Sequence, residues 1–451
     1  VSVVVIGGGF AGIAAAGRLA AAGAAPIVLE RAPRLGGRAS SARFPATGEA
    51  IDLGQHILMG CCTASDGFLR RIGRGSAISF QEELEIPVRC GSVRTVLRSS
   101  ALLPGPLHLA PSLLRYRPLP PVERRRAALA AVRLLIGGRG EERFAAWLRR
   151  RGQSERAISR LWDPISIAAL NAPAARVAVS AARQVFVEGF FRPGGANIGL
   201  FTEPLSAVFD AGRDYIVSRG GRVETGLGAA GIRSEGGAVC AVETADGQTI
   251  DASAVVAAVP PWDLAPLVAA IPEMAEGVER GLRLRWAPII DVHLWFERPV
   301  AEEPFFIAVD APVLAVFDLS RIHKAPSNPG GPCAHLVVSR SAADPWIDRP
   351  ADEIVDEVIG SLARVLPAAR RARVEHRLVI RHRRATFVRA PGSDRLRPAS
   401  TTRVRGLHLA GDWTATGWPS TIEGAIRSGI AAAAAVEIAE GAPPDPSYLT
   451  I

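Results

Sequence analysis

Cysteine is scarce in this chain. Cys61, Cys62, Cys90, Cys240 and Cys333 are scattered, odd in number and without metal-ligand spacing. That excludes a disulfide framework and fits a reducing cytosol. The histidines share no short spacing, so no metal site is expected. No run of about 18 apolar residues is free of charge or proline, which argues against a membrane-spanning helix. The first strand pattern begins at once, so no signal peptide is expected and the expected location is cytoplasmic. Acidic residues are outnumbered, 44 against 53 basic ones, for a net charge of +9 carried mostly by arginine. Nucleic acid, anionic lipid or a plain compositional preference for arginine would each account for it. No nucleic-acid motif and no aromatic platform accompanies the basic residues, so nucleic acid is not an expected partner.

What is present is a large apolar fraction, 48% of 451 residues, enough for a sizeable core. The length favours two intertwined domains. Alternating strand and helix patterns indicate an α/β or mixed class. Val3 to Ile6 is a β-branched run fit for a buried strand. Gly7, Gly9 and Gly12 follow in G-x-G-x-x-G spacing, then an Ala-rich helix pattern, then Ile27 to Leu29 and Glu30. This is the order of a dinucleotide-binding unit. Gly7 makes the turn, Gly9 leaves room for a pyrophosphate, and Gly12 lets the helix approach the sheet. The phosphates sit at the positive end of that helix, and Glu30 can accept hydrogen bonds from a ribose diol.

Glu30 is followed by Arg31 and then by Leu35-Gly36-Gly37-Arg38. A second Gly-Gly-Arg here resembles the flavoprotein superfamily of amine oxidases and phytoene desaturases. The resemblance implies FAD rather than NAD, with Gly37 close to the cofactor and Arg38 on its phosphates. The implied fold is a Rossmann-like FAD-binding domain carrying an inserted α+β substrate domain and a helical, membrane-contacting part. The FAD-binding domain is expected at residues 1–75, 200–262 and 396–440. The substrate domain is expected at 76–199 and 263–395, with a tail at 441–451. In the superfamily the segment Gly54-Gln55-His56 runs beside the isoalloxazine ring, which makes His56 a candidate; a buried, hydrogen-bonded structural histidine is the other reading. The Ala258-Val259-Pro260 strand end is expected at the cofactor, giving Val259.

The middle of the chain is read as follows. Phe80 to Leu97 suits antiparallel strands. Leu107, Leu109, Leu113 and Leu114 form an apolar face flanked by Arg115, Arg117, Arg124, Arg125, Arg126 and Arg133. That pattern suits an interfacial helix on an anionic bilayer or an amphipathic helix packed on its own domain. Phe144 to Leu161 is read as helical, and Ile232 to Asp251 as a hairpin turning at Ala245–Gln248. Asp291 and His293 alternate with apolar residues on a half-buried strand. His293, His335 and His382 are read as core or surface histidines rather than catalysts.

The last strong motif is "LHLAGDWTATGWPSTIEGAIRSG". Gly411-Asp412 ends a strand, and Thr421-Ile422 opens an Ala-rich helix aimed, by the resemblance, at the flavin N1–C2=O edge, where it stabilises negative charge. Gly411, Asp412, Thr421 and Ile422 are therefore expected cofactor contacts. No cysteine lies nearby, so the FAD is expected to be non-covalent. Trp162-Asp163-Pro164 with Ala168-Ala169-Leu170-Asn171-Ala172-Pro173, and the block from Trp413 to Gly424, resemble the hydroxysqualene dehydroxylases more narrowly. That resemblance implies a long-chain C30 isoprenoid alcohol as substrate and squalene as product, feeding hopanoid synthesis, with hydride from reduced flavin. It further implies His56 or Asp163 as general acid, Trp162, Asn171, Trp413 and Trp418 along the substrate, and peripheral attachment to the inner face of a bacterial membrane. Nothing in the sequence identifies the electron donor. A carotenoid desaturase or isomerase, an amine oxidase, and a non-catalytic prenyl-lipid escort of the same fold are the alternatives.

Overall fold

The computed structural model describes residues 2–192, 194–309, 312, 314–323 and 334–441. Cys333 and the expected tail beyond residue 441 lie outside these. The strand Val3–Ile6 is the middle of a five-stranded parallel sheet in the order 222–225, 27–30, 3–6, 254–257, 407–409. Its strands come from three separate stretches of the chain. Side chains alternate across it as a pleated strand requires. Val3, Val5, Val28 and Val256 face the helices Phe10–Ala21, Leu205–Val217 and Ile422–Ala439. Val4, Ile6, Leu29, Val255 and Ala257 face Leu264, Leu267 and an antiparallel three-stranded unit at 229–251. Burying each such aliphatic side chain contributes about 1.5–3 kcal/mol, so this β-branched run is the seed of the fold.

A second sheet has seven strands, ordered 374–387, 286–296, 334–341, 314–318, 305–308, 85–90, 93–98. All neighbours are antiparallel except 305–308 with 85–90. Ile290, Val292 and Leu294 pack on Ile354, Val355, Val358 and Leu362 of the helix Ala351–Val365. The alternate positions, Asp291 and His293 among them, face the other way. Helices between residues 107 and 191 form the third body. Their core holds Trp147, Trp162, Phe144 and Phe186.

Three local expectations change. The helix expected over Phe144 to Leu161 breaks after Arg149, because Gly152 takes φ +74° and Ser154 caps a new start by accepting from the Ala157 N–H at 3.1 Å. A wide π-type turn at Ile158–Trp162 follows. The hairpin expected from Ile232 to Asp251 is three strands. Its extra turn is Gly236-Gly237, both with positive φ, which only glycine adopts without strain. The four leucines expected on one apolar face divide. Leu109 and Leu113 lean on the helical core, while Leu107 and Leu114 are exposed.

Candidate FAD site and active centre

Steric room separates the three glycines of the first turn. Gly7 has φ +106°, and a Cβ there would stand 2.6 Å from the Ala258 carbonyl oxygen and 3.2 Å from Val259 Cγ1. A Cβ at Gly12 would stand 1.9 Å from the Gly7 carbonyl oxygen. At Gly9 nothing lies closer than the Gly36 carbonyl oxygen, 3.9 Å away. Gly7 and Gly12 are therefore required by the protein itself, and Gly9 forms an open floor. Above that floor starts the helix Phe10–Ala21, with no side-chain cap and no acid in its first turn. Its first internal bond runs from the Ile13 N–H to the Gly9 carbonyl, so the amides of residues 10–12 point outward as an anion site. Glu30 is 8% exposed and is fixed by the Gly8 and Ala32 N–H groups at 2.7 and 2.8 Å. Its remaining lone pairs can take a diol.

The other motifs close on the same turn. The Gly36 N–H donates to the Gly8 carbonyl at 2.9 Å, and a Cβ at Gly37 would be 3.6 Å from Gly9 Cα. Arg38 donates to both carboxylate oxygens of Asp412 and to the Ala385 carbonyl. Asp412 is 3% exposed and also accepts from Ser420 Oγ. The Gly411 N–H donates to Ser428 Oγ, and Thr421 caps the closing helix by accepting from the Gly424 N–H. Ile422 is the first residue of that helix. Glu423, unforeseen as a structural residue, is fully buried. It accepts from the Ala64 and Ser65 N–H groups, Ser65 Oγ and Arg427, joining two helix N-termini. The open floor, the outward amides and the paired glycine turns fit the diphosphate and ribose of FAD. Trp413, expected along the substrate, is fully buried in the apolar cluster with Leu284 and Phe387, and its indole N–H donates to the Val259 carbonyl at 3.0 Å.

The model of the flavin containing amine oxidoreductases matches residues 10–437. The chain belongs to this family. FAD is its cofactor, and it is a flavin-dependent oxidoreductase. It is 28% identical to the hydroxysqualene dehydroxylase of Rhodopseudomonas palustris, over 95% of this chain and 96% of that protein. It is 26% identical to the 15-cis-phytoene desaturase of Solanum lycopersicum, over 96% of this chain and 77% of that protein. Among solved structures, cyclohexylamine oxidase from Brevibacterium oxydans superposes with a TM-score of 0.70 at 19% identity, covering 98% of this chain and 99% of the other. That likeness supports the fold.

The residues expected at the substrate fall into two groups. His56 stands at a polar centre. A Cβ at Gly54 would lie 3.6 Å from His56 Cε1, 3.6 Å from His382 Nε2 and 3.4 Å from Asp291 Oδ2. His56 Nδ1 is buried with no hydrogen-bond partner among the described residues. Burial pushes its imidazole down to about 4, with His382 adding to the shift, so His56 is neutral over the physiological range. The expectation of His56 as the general acid is thereby revised: a neutral imidazole accepts a hydrogen bond.

The second group is structural. Asp163, the alternative acid, accepts from the Ala174 N–H at 2.7 Å and pins the turn after its helix; burial pushes its carboxyl up. Trp162 is 1% exposed, donates to Gln153, and stacks edge-on against Phe144 at 5.8 Å. Asn171, at φ +51°, spends its amide on Ala287, Thr386 and the Ala342 N–H, stitching the helical body to the large sheet. Neither presents a free polar atom to a substrate. Trp418 is half-buried under the Arg427 guanidinium, 4.5 Å from its ring. Arg31, also expected at the cofactor, is 72% exposed and pairs with Asp263 at 3.0 Å. Arg397 was not anticipated. It is 3% exposed and fixes the closing loop through the Asp412 carbonyl and Thr416 Oγ1.

Proposed function

We propose that this enzyme reductively removes the hydroxyl of hydroxysqualene to give squalene. The observation that carries this reading is the end-to-end match in length to a hydroxysqualene dehydroxylase, where the phytoene desaturase match leaves a quarter of that longer protein uncovered. Bound FAD in its reduced form supplies the hydride equivalent. The chain's own residues do the rest. The Gly7–Gly12 turn, Glu30 and the Arg38–Asp412 pair fix the cofactor. The segment carrying His56 runs on to Met59, whose Cε would lie 3.2 Å from a Cβ at Gly189. There the aromatic residues Phe186, Phe190 and Phe191 are all buried. An apolar wall thus meets a polar tip, which suits an isoprenoid chain with one hydroxyl and keeps water from a carbon that is losing its oxygen. Anaerobic turnover of reduced, FAD-loaded protein should convert hydroxysqualene to squalene. No squalene, together with a desaturated product from phytoene under oxidising conditions, would overturn the assignment in favour of a carotenoid desaturase.

Substrate of this kind resides in lipid, and the helical body carries the surface to reach it. Leu102 is 93% exposed and Ile136 76%, with Leu107, Leu114, Val122 and Leu129 also exposed. The helix Pro121–Ile136 buries Ala127, Ala130 and Leu134 inward, so its outer apolar side has no protein partner among the described residues. Arg115, Arg117, Arg125, Arg126 and Arg133 surround it, all exposed. No helix among the described residues is long and apolar enough to cross a membrane. The surface therefore suits docking on an anionic bilayer, with leucines inserted and arginines at the headgroups. The holoenzyme should float with vesicles containing phosphatidylglycerol, less so with neutral ones, and release as salt rises. Leu102→Asp with Ile136→Asp should weaken flotation at least tenfold, since each loses a burial of about 1.5–3 kcal/mol. Unchanged flotation would move the contact elsewhere.

A further inference from the structure

We infer that Asp291 is the residue that protonates the departing hydroxyl, with His56 and His382 positioning the oxygen over the bare backbone of Gly54. This rests on the dehydroxylation reading above and names the proton source within that site.

Four chain segments build the centre. Asp291 lies on the strand Trp286–Phe296, directly opposite Ser339 on one neighbour and Ile380 on the other. His382, two residues beyond Ile380, shares its face as the diagonal neighbour. The loop from Leu53 to His56 crosses this face. The Leu53 carbonyl meets His382 Nε2, and the Gln55 N–H and the Ser339 hydroxyl donate to the Asp291 carboxylate. Gly54 lies between, and all three side chains come within 3.6 Å of the place a Cβ would take. The cofactor motif is close along the same strand, because Arg38 holds the carbonyl of Ala385.

Two buried polar atoms of these side chains, Asp291 Oδ1 and His56 Nδ1, have no hydrogen-bond partner among the described residues, while Asp291 Oδ2 is the carboxylate atom nearest Gly54. Buried groups of this kind require an explanation. An alcohol oxygen supplies one. It accepts a hydrogen bond from a protonated carboxyl and donates its own proton toward a neutral imidazole, leaving neither group unpaired. The chemistry matches the environment. Burial pushes the Asp291 carboxyl up to about 6, opposed by His382, the Ser339 hydrogen bond and the Gln55 N–H. The groups facing it are His382, Ser339, His56 and the Gln55 N–H. The next residues on the neighbouring strands are engaged elsewhere, Arg340 with Glu357 and Arg381 with the Arg349 carbonyl. Asp291 is thus the acid of this centre that still carries its proton near pH 6.

The step balances. The carboxyl proton moves from Asp291 to the hydroxyl oxygen, the allylic C–O bond breaks, and water leaves. The carbon is left to be reduced by two electrons, the hydride equivalent that bound FAD in its reduced form would supply. Asp291 remains as carboxylate and is reprotonated from solvent.

The test is Asp291→Asn in the FAD-loaded protein. FAD content should be unchanged, and kcat with hydroxysqualene should fall at least a hundredfold. Wild-type kcat/KM should fall tenfold per pH unit above about 6, and Asp291→Glu should restore a pH-dependent activity. Three readouts do not need turnover. Infrared difference titration should show carboxyl absorbance that titrates near pH 6 and is diminished in the variant, the remainder belonging to Asp52, which burial also pushes up to about 6. Binding of hydroxysqualene should be stronger than that of squalene in wild type and equal to it in the variant. The melting temperature supplies the third. The folded carboxyl binds its proton more tightly than the unfolded one, so stability falls as pH rises from about 4 through 6. Asp291→Asn should make that slope shallower, the part due to Asp52 remaining. If wild type fails to make squalene, the dehydroxylation reading falls, while the infrared and binding results still decide the role of Asp291. A variant kcat within threefold of wild type, or carboxyl absorbance near pH 6 that is the same in wild type and variant, would overturn the inference.

Discussion

Gly12→Val should give a protein that purifies colourless, retaining less than a tenth of the wild-type FAD. The added Cβ would lie 1.9 Å from the Gly7 carbonyl oxygen and 3.0 Å from its carbon. Both are backbone atoms of the strand-ending turn, so no side chain can swing away. The helix Phe10–Ala21 must lift from the sheet. Every residue of it from Phe10 to Ala20 is buried, and the far side is equally tight, since a Cβ at Gly429 of the closing helix would be 2.0 Å from the Ala11 carbonyl oxygen. Overpacking of this kind costs about 1–3 kcal/mol, and lifting the helix withdraws the outward amides from the diphosphate. Gly9→Ala is the control. Its Cβ meets no protein atom closer than 3.9 Å, so the apoprotein should melt at the wild-type temperature while FAD affinity falls at least tenfold. Visible flavin absorbance per protein, measured beside the melting temperature, checks both. A Gly12→Val protein with full flavin content would show that the turn does not hold the cofactor.

These glycines were legible in the sequence because their spacing is set by backbone geometry within one strand–turn–helix unit. The gathering of Glu30 and Gly36-Gly37-Arg38 about this turn, with Asp412 held by Arg38, follows the same logic, each being a short run fixed by its own backbone or nearest side chain. The centre around Gly54 was not legible. Asp291 and His382 each look like one polar residue on an alternating strand, and only the register of the 286–296, 334–341 and 374–387 strands sets them beside a loop from residue 53. Periodicity gives the face of a strand but not its partner. Trp162 and Asn171 misled in the opposite direction. Both types bind ligands well, but here one fills an aromatic core and the other, in a left-handed turn, exhausts its hydrogen bonds on three strand-edge groups. The division of Leu107, Leu109, Leu113 and Leu114 has a similar origin. The segment folds as two short turns, at Leu107–Leu109 and Ala110–Leu114, rather than one long helix.

The ends of the chain are also locked by charge, and Arg18→Met should destabilise the enzyme by about 3–5 kcal/mol. Arg18 sits on the helix Phe10–Ala21 and Glu437 in the last turns of Ile422–Ala439. The guanidinium meets the carboxylate through two parallel bonds, 2.8 and 2.7 Å long, with side chains 1% and 4% exposed. Arg18 also reaches the Ile430 carbonyl at 3.4 Å. Methionine fills much of the arginine stem's volume, so the loss is chiefly electrostatic: the Glu437 carboxylate would stay buried with its bidentate donor gone. Arg18→Met with Glu437→Leu removes both charges and should recover most of the loss, because well-packed apolar residues commonly replace a buried pair at little cost. Denaturant midpoints of the three variants measure the coupling. If Arg18→Met alone lost under 1 kcal/mol, the pair would be incidental to stability. The expected loss means more than a weaker fold. The N-termini of the two helices are those expected at the FAD, so FAD should bind more weakly to Arg18→Met and recover in the double variant, although neither residue belongs to the expected site.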